Sequence, residues 1–215
     1  MLHDAGVAIA HVDIADGVHS PLFTFGPLIV EAIGTRLLRD VHLLVKEPLD
    51  HIEAVSDAGA DAITFQLEGC RDPHRTLQLL SEVRARRPSD RPLVCGVGIG
   101  MGTPVGTLEP LLALFDHVLV LAIEPGRPRQ AWPEELEARV EDVRRLVTRA
   151  HRPVTIGLDG GVTRSNTARA ATMPLHVIVA GSAIFGDGDP AGTIRRIHEE
   201  FGQMRLDRSR PRTIT

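Results

Sequence analysis

Seven short apolar runs rich in β-branched residues recur along the 215-residue chain, and helical stretches separate them. The runs are IAHVDI (9–14), RDVHLLV (39–45), DAITFQLE (61–68), LVCGVGI (93–99), HVLVLAIE (117–124), PVTIGLDG (153–160) and HVIVAGSAI (176–184). Between them, PLDHIEAVSDAGA closes on Gly59, PHRTLQLLSEVRARR spaces Leu77, Leu80 and Val83 helically, and Leu136, Val140, Val143 and Val147 step by four, three and four. Near-continuous apolar strands alternating with helices predict a parallel sheet covered by helices. An open doubly wound sheet and a closed (β/α)8 barrel both fit that alternation. The polar groups of HVD, VHL, QLE and LDGG fall at the C-terminal ends of at least four strands, as a barrel rim requires, although seven strands leave a barrel one short.

Length allows one large domain. Residues 1–204 are expected to form it, and RLDRSRPRTIT (205–215), with four arginines and no apolar period, is expected to be a solvated, disordered tail. A net charge of −4 and an aromatic content of 3% with no Tyr argue against nucleic acid as a partner, because basic patches and stacking platforms are both missing. No apolar run approaches the ~20 residues that span a bilayer. MLHDAG lacks the layout of a signal peptide, and Cys70 and Cys95 have no metal-type spacing, so the expected address is the cytoplasm and the cysteines read as small hydrophobes.

In HVD, His11 and Asp13 sit two apart, so an extended chain points both to one face while Val12 and Ile14 point to the other. His42 in RDVHLLV and Asp159 in TIGLDGG are the same residue types on other strands. If all four project inward at one rim, two imidazoles and two carboxylates suit a divalent metal, zinc first, with manganese, iron or cobalt as alternatives. A single inward histidine is equally well a hydrogen-bonded core residue, but several buried ionisable groups together are costly without a metal or strong pairing. LDGGV and AGS end the last two strands, each before a helical start. Glycines there serve a tight turn or let a phosphate reach backbone N–H groups, and a barrel's usual phosphate site lies after its last two strands.

These residues resemble the ribulose-phosphate 3-epimerase family. The matching stretches are HVDIADG with SPLFTFGP, DVHLLVKEP, AGADAITFQLEG, GMGTP, EPG with Gln130, LDGGV and AGSAIFG, in family order over nearly the whole chain. The resemblance implies a (β/α)8 TIM barrel that interconverts D-ribulose 5-phosphate and D-xylulose 5-phosphate by moving a proton at C3 through an enediolate. It implies His11, Asp13, His42 and Asp159 as ligands of one divalent metal ion, with Asp13 and Asp159 also the acid and base on opposite faces of the sugar. Phosphate is expected on backbone N–H groups at Gly126, Gly160, Gly161, Gly181 and Ser182. The implied partners are a small sugar-phosphate and a second copy of the chain in a homo-oligomer, with no membrane and no nucleic acid.

The chain also departs from that pattern. Nothing corresponds to the family's first strand, and Met1–Gly6 looks like the end of the helix that follows it, so the barrel is expected to lack its first strand and most of its first helix. Family methionines that cushion the intermediate are Ala15, Leu44 and Leu121 here, and the usual His before Glu68 is Gln66. The family's Gly-rich loop reads PGRPRQ (125–130), and Gly100 and Met101 replace Asn and Pro. The epimerase reading extends to a related ketose phosphate as substrate, and two other readings stand beside it. One is a lyase resembling the hexulose-phosphate synthase and orotidine decarboxylase group, which lacks its key Lys in Asp13-Ile14-Ala15-Asp16. The other is a non-catalytic homologue that keeps the barrel and the metal.

Overall fold

Parallel pairing in sequence order organises the protein. In the computed structural model, which describes residues 2–88, 92–127, 130–186, 188–205 and 213–214, the strands are β1 (Ile9–Ala15), β2 (Leu38–Leu44), β3 (Ala62–Gln66), β4 (Val94–Gly100), β5 (His117–Leu121), β6 (Thr155–Asp159), β7 (Val177–Ile178) and β8 (Thr213–Ile214). They form one sheet in the order β1 through β8, each strand parallel to the next. The first seven curl into a partial barrel, as expected for a (β/α)8 barrel that lacks its first unit. Among the described residues no strand precedes β1, and the His3–Ala5 turn is all that stands before it. The run 176–184 is strand only at Val177–Ile178, because Ser182–Phe185 turns into a short helix.

The expected helices form where the apolar spacing placed them. Leu77, Leu80 and Val83 are buried on the helix Pro73–Ala85, which Asp72 caps by accepting from the Arg75 N–H at 2.9 Å. Leu136, Val140, Val143 and Val147 are buried on the helix Leu136–Val147. They share one core cluster with the outward side chains of the strands, including Ile14, Val41, Leu43, Ile63, Phe65, Val97, Ile99, Val118, Val120, Ile156 and Leu158. The crossover between β4 and β5 is a 3-10 segment, Val105–Leu111, whose internal Pro110 lacks the N–H that an α-helix there would use.

Alternation along each strand leaves the other residues inside the barrel, and apart from Leu44, Leu119 and Leu121 many of these are polar or small. They include His11, Asp13, Asp40, His42, Thr64, Gln66, His117 and Asp159, together with Gly96, Gly98 and Gly157. At the N-terminal end, His117 Nδ1 lies 2.8 Å from Thr155 Oγ1, and burial pushes its imidazole down to about 4.

The tail splits in two. Residues 206–212 and 215, expected to be solvated, lie outside the described residues, whereas Thr213–Ile214 pair with Val177–Ile178 along the edge of β7 that faces the seam. An unpaired parallel edge offers backbone donors and acceptors that a passing segment can satisfy. A chain ending at Arg205 is expected to show faster amide exchange in β7 and a melting midpoint lower by about 2–4 °C, equivalent to roughly 1 kcal/mol of lost pairing. An unchanged midpoint and unchanged exchange would contradict the pairing.

Candidate metal centre

Two adjacent strands carry mirrored triplets, HVD (11–13) on β1 and DVH (40–42) on β2. The parallel register sets His11 opposite Asp40 and Asp13 opposite His42. Each imidazole therefore has a carboxylate beside it at its own level. His11 Nδ1 lies 2.8 Å from Asp40 Oδ2, and His42 Nδ1 lies 3.1 Å from Asp13 Oδ1. On the far side of the barrel, the β5–β6 register places Asp159 level with Leu121, and its carboxylate approaches His11 Nε2 and His42 Nδ1 at 3.9 Å each. The four residues expected from the sequence converge, with one ligand atom from each within 4.8 Å of all the others.

The donor set fits a divalent cation. Ligands about 2.0–2.2 Å from a tetrahedral ion sit roughly 3.3–3.6 Å apart, and the contacts here run from 3.1 to 3.9 Å. His11 Nε2 is buried with no hydrogen-bond partner; its 3.4 Å approach to Asp13 lacks the geometry of one. A buried lone-pair nitrogen left without a partner, among two carboxylates and a second imidazole, calls for a cation. Asp40 accepts from His11 Nδ1, which leaves Nε2 as the free donor atom.

The titration of the metal-free group points the same way. Burial by itself would lower both histidines, yet Asp40 and Asp13 hold His11 well above its usual value, and Asp13 raises His42. Burial would raise Asp13, but the close approach of both imidazoles and their charge pull it far below the usual carboxylate range. Burial raises Asp159, and the charge of Asp13 adds to that rise. The centre thus stores positive charge on its histidines, which a bound cation would replace as it releases their protons.

The remaining residues fall elsewhere on the rim. Gly160 and Gly161 turn the chain after β6 at φ of 90° and 68°, a region that side chains avoid. Trp132 Nε1 and Asn166 Nδ2 brace that turn by donating to the carbonyls of Gly160 and Gly161, each at 2.8 Å. Gly181 precedes the four-residue helix Ser182–Phe185, and the β6–β7 pairing sets its turn beside that of Gly160. Gly126 lies apart, closely packed against Pro21 and Leu22 of the loop after β1. Arg127 pairs with Glu124 at 2.7 Å, while Pro128 and Arg129 lie outside the described residues. Ala15, Leu44 and Leu121 form a small buried cluster with Leu22 packed on it. A cavity of about 580 Å³ opens beside the centre, reached through Gln66 and Leu121 rather than through the four ligands themselves.

Sequence reasoning missed Asp40 as the partner of His11. The signal was present in the mirrored order of HVD and DVH on consecutive strands. Gln66, noted only as a departure, proves to contact His42, with Oε1 2.9 Å from Nε2.

A parallel β/α barrel with a two-histidine, two-aspartate centre at the C-terminal ends of its strands defines a class, the metal-site TIM-barrel enzymes. The chain matches the ribulose-phosphate 3 epimerase family over residues 1–185 and belongs to it. Its curated relatives include a ribulose-phosphate 3-epimerase of Bacillus subtilis (strain 168), 33% identical over 195 residues, covering 89% of this chain and 86% of that protein. Another is the chloroplastic ribulose-5-phosphate-3-epimerase of Arabidopsis thaliana, 33% identical with 90% and 67% covered. Membership places the chain among the epimerase-type isomerases. Solved structures share the fold. 3-Hexulose-6-phosphate synthase from Salmonella typhimurium superimposes with a TM-score of 0.62 at 16% identity, covering 90% of this chain and 98% of that one. No described helix is long and apolar enough to cross a membrane.

Replacing Asp40 with Asn removes the anion behind His11 and is expected to weaken zinc binding roughly 10- to 100-fold, measured by competition with a chromophoric chelator. Wild-type affinity in that variant would show that Asp40 has no part in the centre.

Proposed function

We propose that the protein is a divalent-metal-dependent epimerase acting at C3 of a pentulose phosphate, converting D-ribulose 5-phosphate to D-xylulose 5-phosphate. The observation that carries this reading is the convergence of Asp13 and Asp159 with both imidazoles inside a barrel of this family. A divalent ion held by His11, Asp13, His42 and Asp159, zinc first and manganese, iron or cobalt as alternatives, would supply positive charge opposite the charge that develops on the substrate oxygens.

The chain's own groups account for the proton. Asp13 is the most open of the four, its side chain 39% exposed against 12% for Asp159 and 0% for His42. Asp13 and Asp159 act as the acid and base: one carboxylate takes the C3 proton and the other returns one from the far side, inverting the centre through an enediolate. Ala15, Leu44 and Leu121 supply an apolar wall that keeps water from that planar species, the task the family gives to methionines. The phosphate is assigned to the turns after β6 and β7. The Gly160 N–H is directed at the Asp159 carboxylate, so the donors for phosphate are Gly161, Gly181 and Ser182. Gly126 shapes the loop across the mouth. A homo-oligomer is the proposed assembly, supported by the exposed apolar side chains of Phe23, Phe25 and Leu28 beside the rim. The proposed setting is the cytoplasm, supported by the unpaired Cys70 and Cys95.

Metal-loaded protein incubated with ribulose 5-phosphate in deuterated water is expected to place deuterium at C3 and to form xylulose 5-phosphate. Asp13→Asn is expected to slow this by at least about 10²-fold with the fold retained. Folded, metal-bound wild type that exchanges nothing would contradict the epimerase and leave a non-catalytic metal-binding homologue; near-normal turnover in the variant would reject Asp13 as a proton carrier.

A further inference from the structure

We infer that Gln66 is a positioning residue that selects which nitrogen of His42 faces the metal. The inference rests on the metal reading of the site above. Gln66 ends β3, is 2% exposed, and presents Oε1 to His42 Nε2 at 2.9 Å. A carboxamide oxygen only accepts, so Nε2 must carry the proton. In the neutral imidazole that leaves the lone pair on Nδ1, the nitrogen 3.1 Å from Asp13 and 3.9 Å from Asp159. Were the amide reversed, with its NH₂ toward the ring, Nε2 would accept and Nδ1 would hold a proton, and His42 could not ligate from the side that faces the other three. His11 is fixed in the opposite sense, because Asp40 takes its Nδ1–H and frees Nε2. The two ligand histidines therefore turn different ring atoms to the centre, each set by a different second residue.

The barrel interior makes room for this contact. The register sets Gln66 opposite Gly98, and a Cβ at Gly98 would lie 2.2 Å from Gln66 Oε1 and 3.1 Å from His42 Nε2. One step down, a Cβ at Gly96 would lie 2.2 Å from Thr64 Oγ1. Gly96 and Gly98 leave the inward face of β4 bare, so the side chains of Thr64 and Gln66 lie over them, and that of Gln66 reaches His42 on β2. Gln66 also lines the 580 Å³ cavity, which places this neutral amide between the substrate space and His42.

The test combines one measurement on the wild type with two variants. In zinc-loaded wild type, long-range ¹H–¹⁵N correlation spectra of the imidazoles are expected to show His42 protonated at Nε2 and His11 protonated at Nδ1. Gln66→Met keeps the volume and removes the acceptor; it is expected to raise the zinc dissociation constant roughly 10- to 100-fold. Gln66→Glu restores an acceptor and is expected to bind within about threefold of wild type, a rescue that simple loss of packing would not produce. A His42 in zinc-loaded wild type that is protonated at Nδ1, or a Gln66→Met variant that binds zinc as tightly as wild type, overturns the inference while leaving the metal site standing. A wild type that takes no zinc, manganese, iron or cobalt overturns the metal reading and this inference with it.

Discussion

The register of β1 against β2 is the constraint on which the centre depends. Parallel strands one residue out of step would put His11 opposite Val41 and Asp13 opposite Leu43, and a slip of one residue turns a strand's polar face toward the helices. Held as it is, the pairing sets His11 beside Asp40 and His42 beside Asp13, so that four ionisable groups leave water already paired. The outward residues of the same strands, Val12, Ile14, Val41 and Leu43, pack into the core beneath the helices. Burial of those apolar side chains thereby enforces the register that makes the polar ones useful.

Within that frame, charge balance shapes the chemistry. Asp13, Asp40 and Asp159 bring more negative charge to the centre than two neutral imidazoles can answer, and in the metal-free group the histidines answer by holding protons. A divalent ion would meet the same demand with fixed charge and leave the carboxylates free to differ, one more exposed and one buried. The partners behind the ligands differ in kind as well: an anion behind His11, a neutral amide behind His42. Bare backbone at Gly98 leaves the amide its place, since a Cβ there would collide with Gln66 Oε1.

Much of this was legible in the sequence, for physical reasons. Strand and helix alternation follows from apolar periodicity, and the 3.6 spacing of Leu77, Leu80 and Val83 and the two-residue spacing of His11 and Asp13 survive intact in the structure. The four converging residues were visible because polar residues at the ends of apolar strands are expensive and need a reason. Less was legible where a property belongs to a pair of strands rather than to one. Asp40 was not singled out, because only the register of β1 against β2 shows what it faces. Gln66 looked like a departure until its distance to His42 gave it a task. The strand at Thr213–Ile214 has no sequence signal, since two residues among arginines carry no period and the pairing is decided by the open edge of β7.

The central claim is that His11, Asp13, His42 and Asp159 form one metal centre. The most direct test is a crystal of zinc-loaded protein measured above and below the zinc absorption edge. A single anomalous peak is predicted about 2.0–2.2 Å from His11 Nε2, His42 Nδ1 and one oxygen each of Asp13 and Asp159. A peak elsewhere, or none among these four residues in fully loaded protein, would contradict the account.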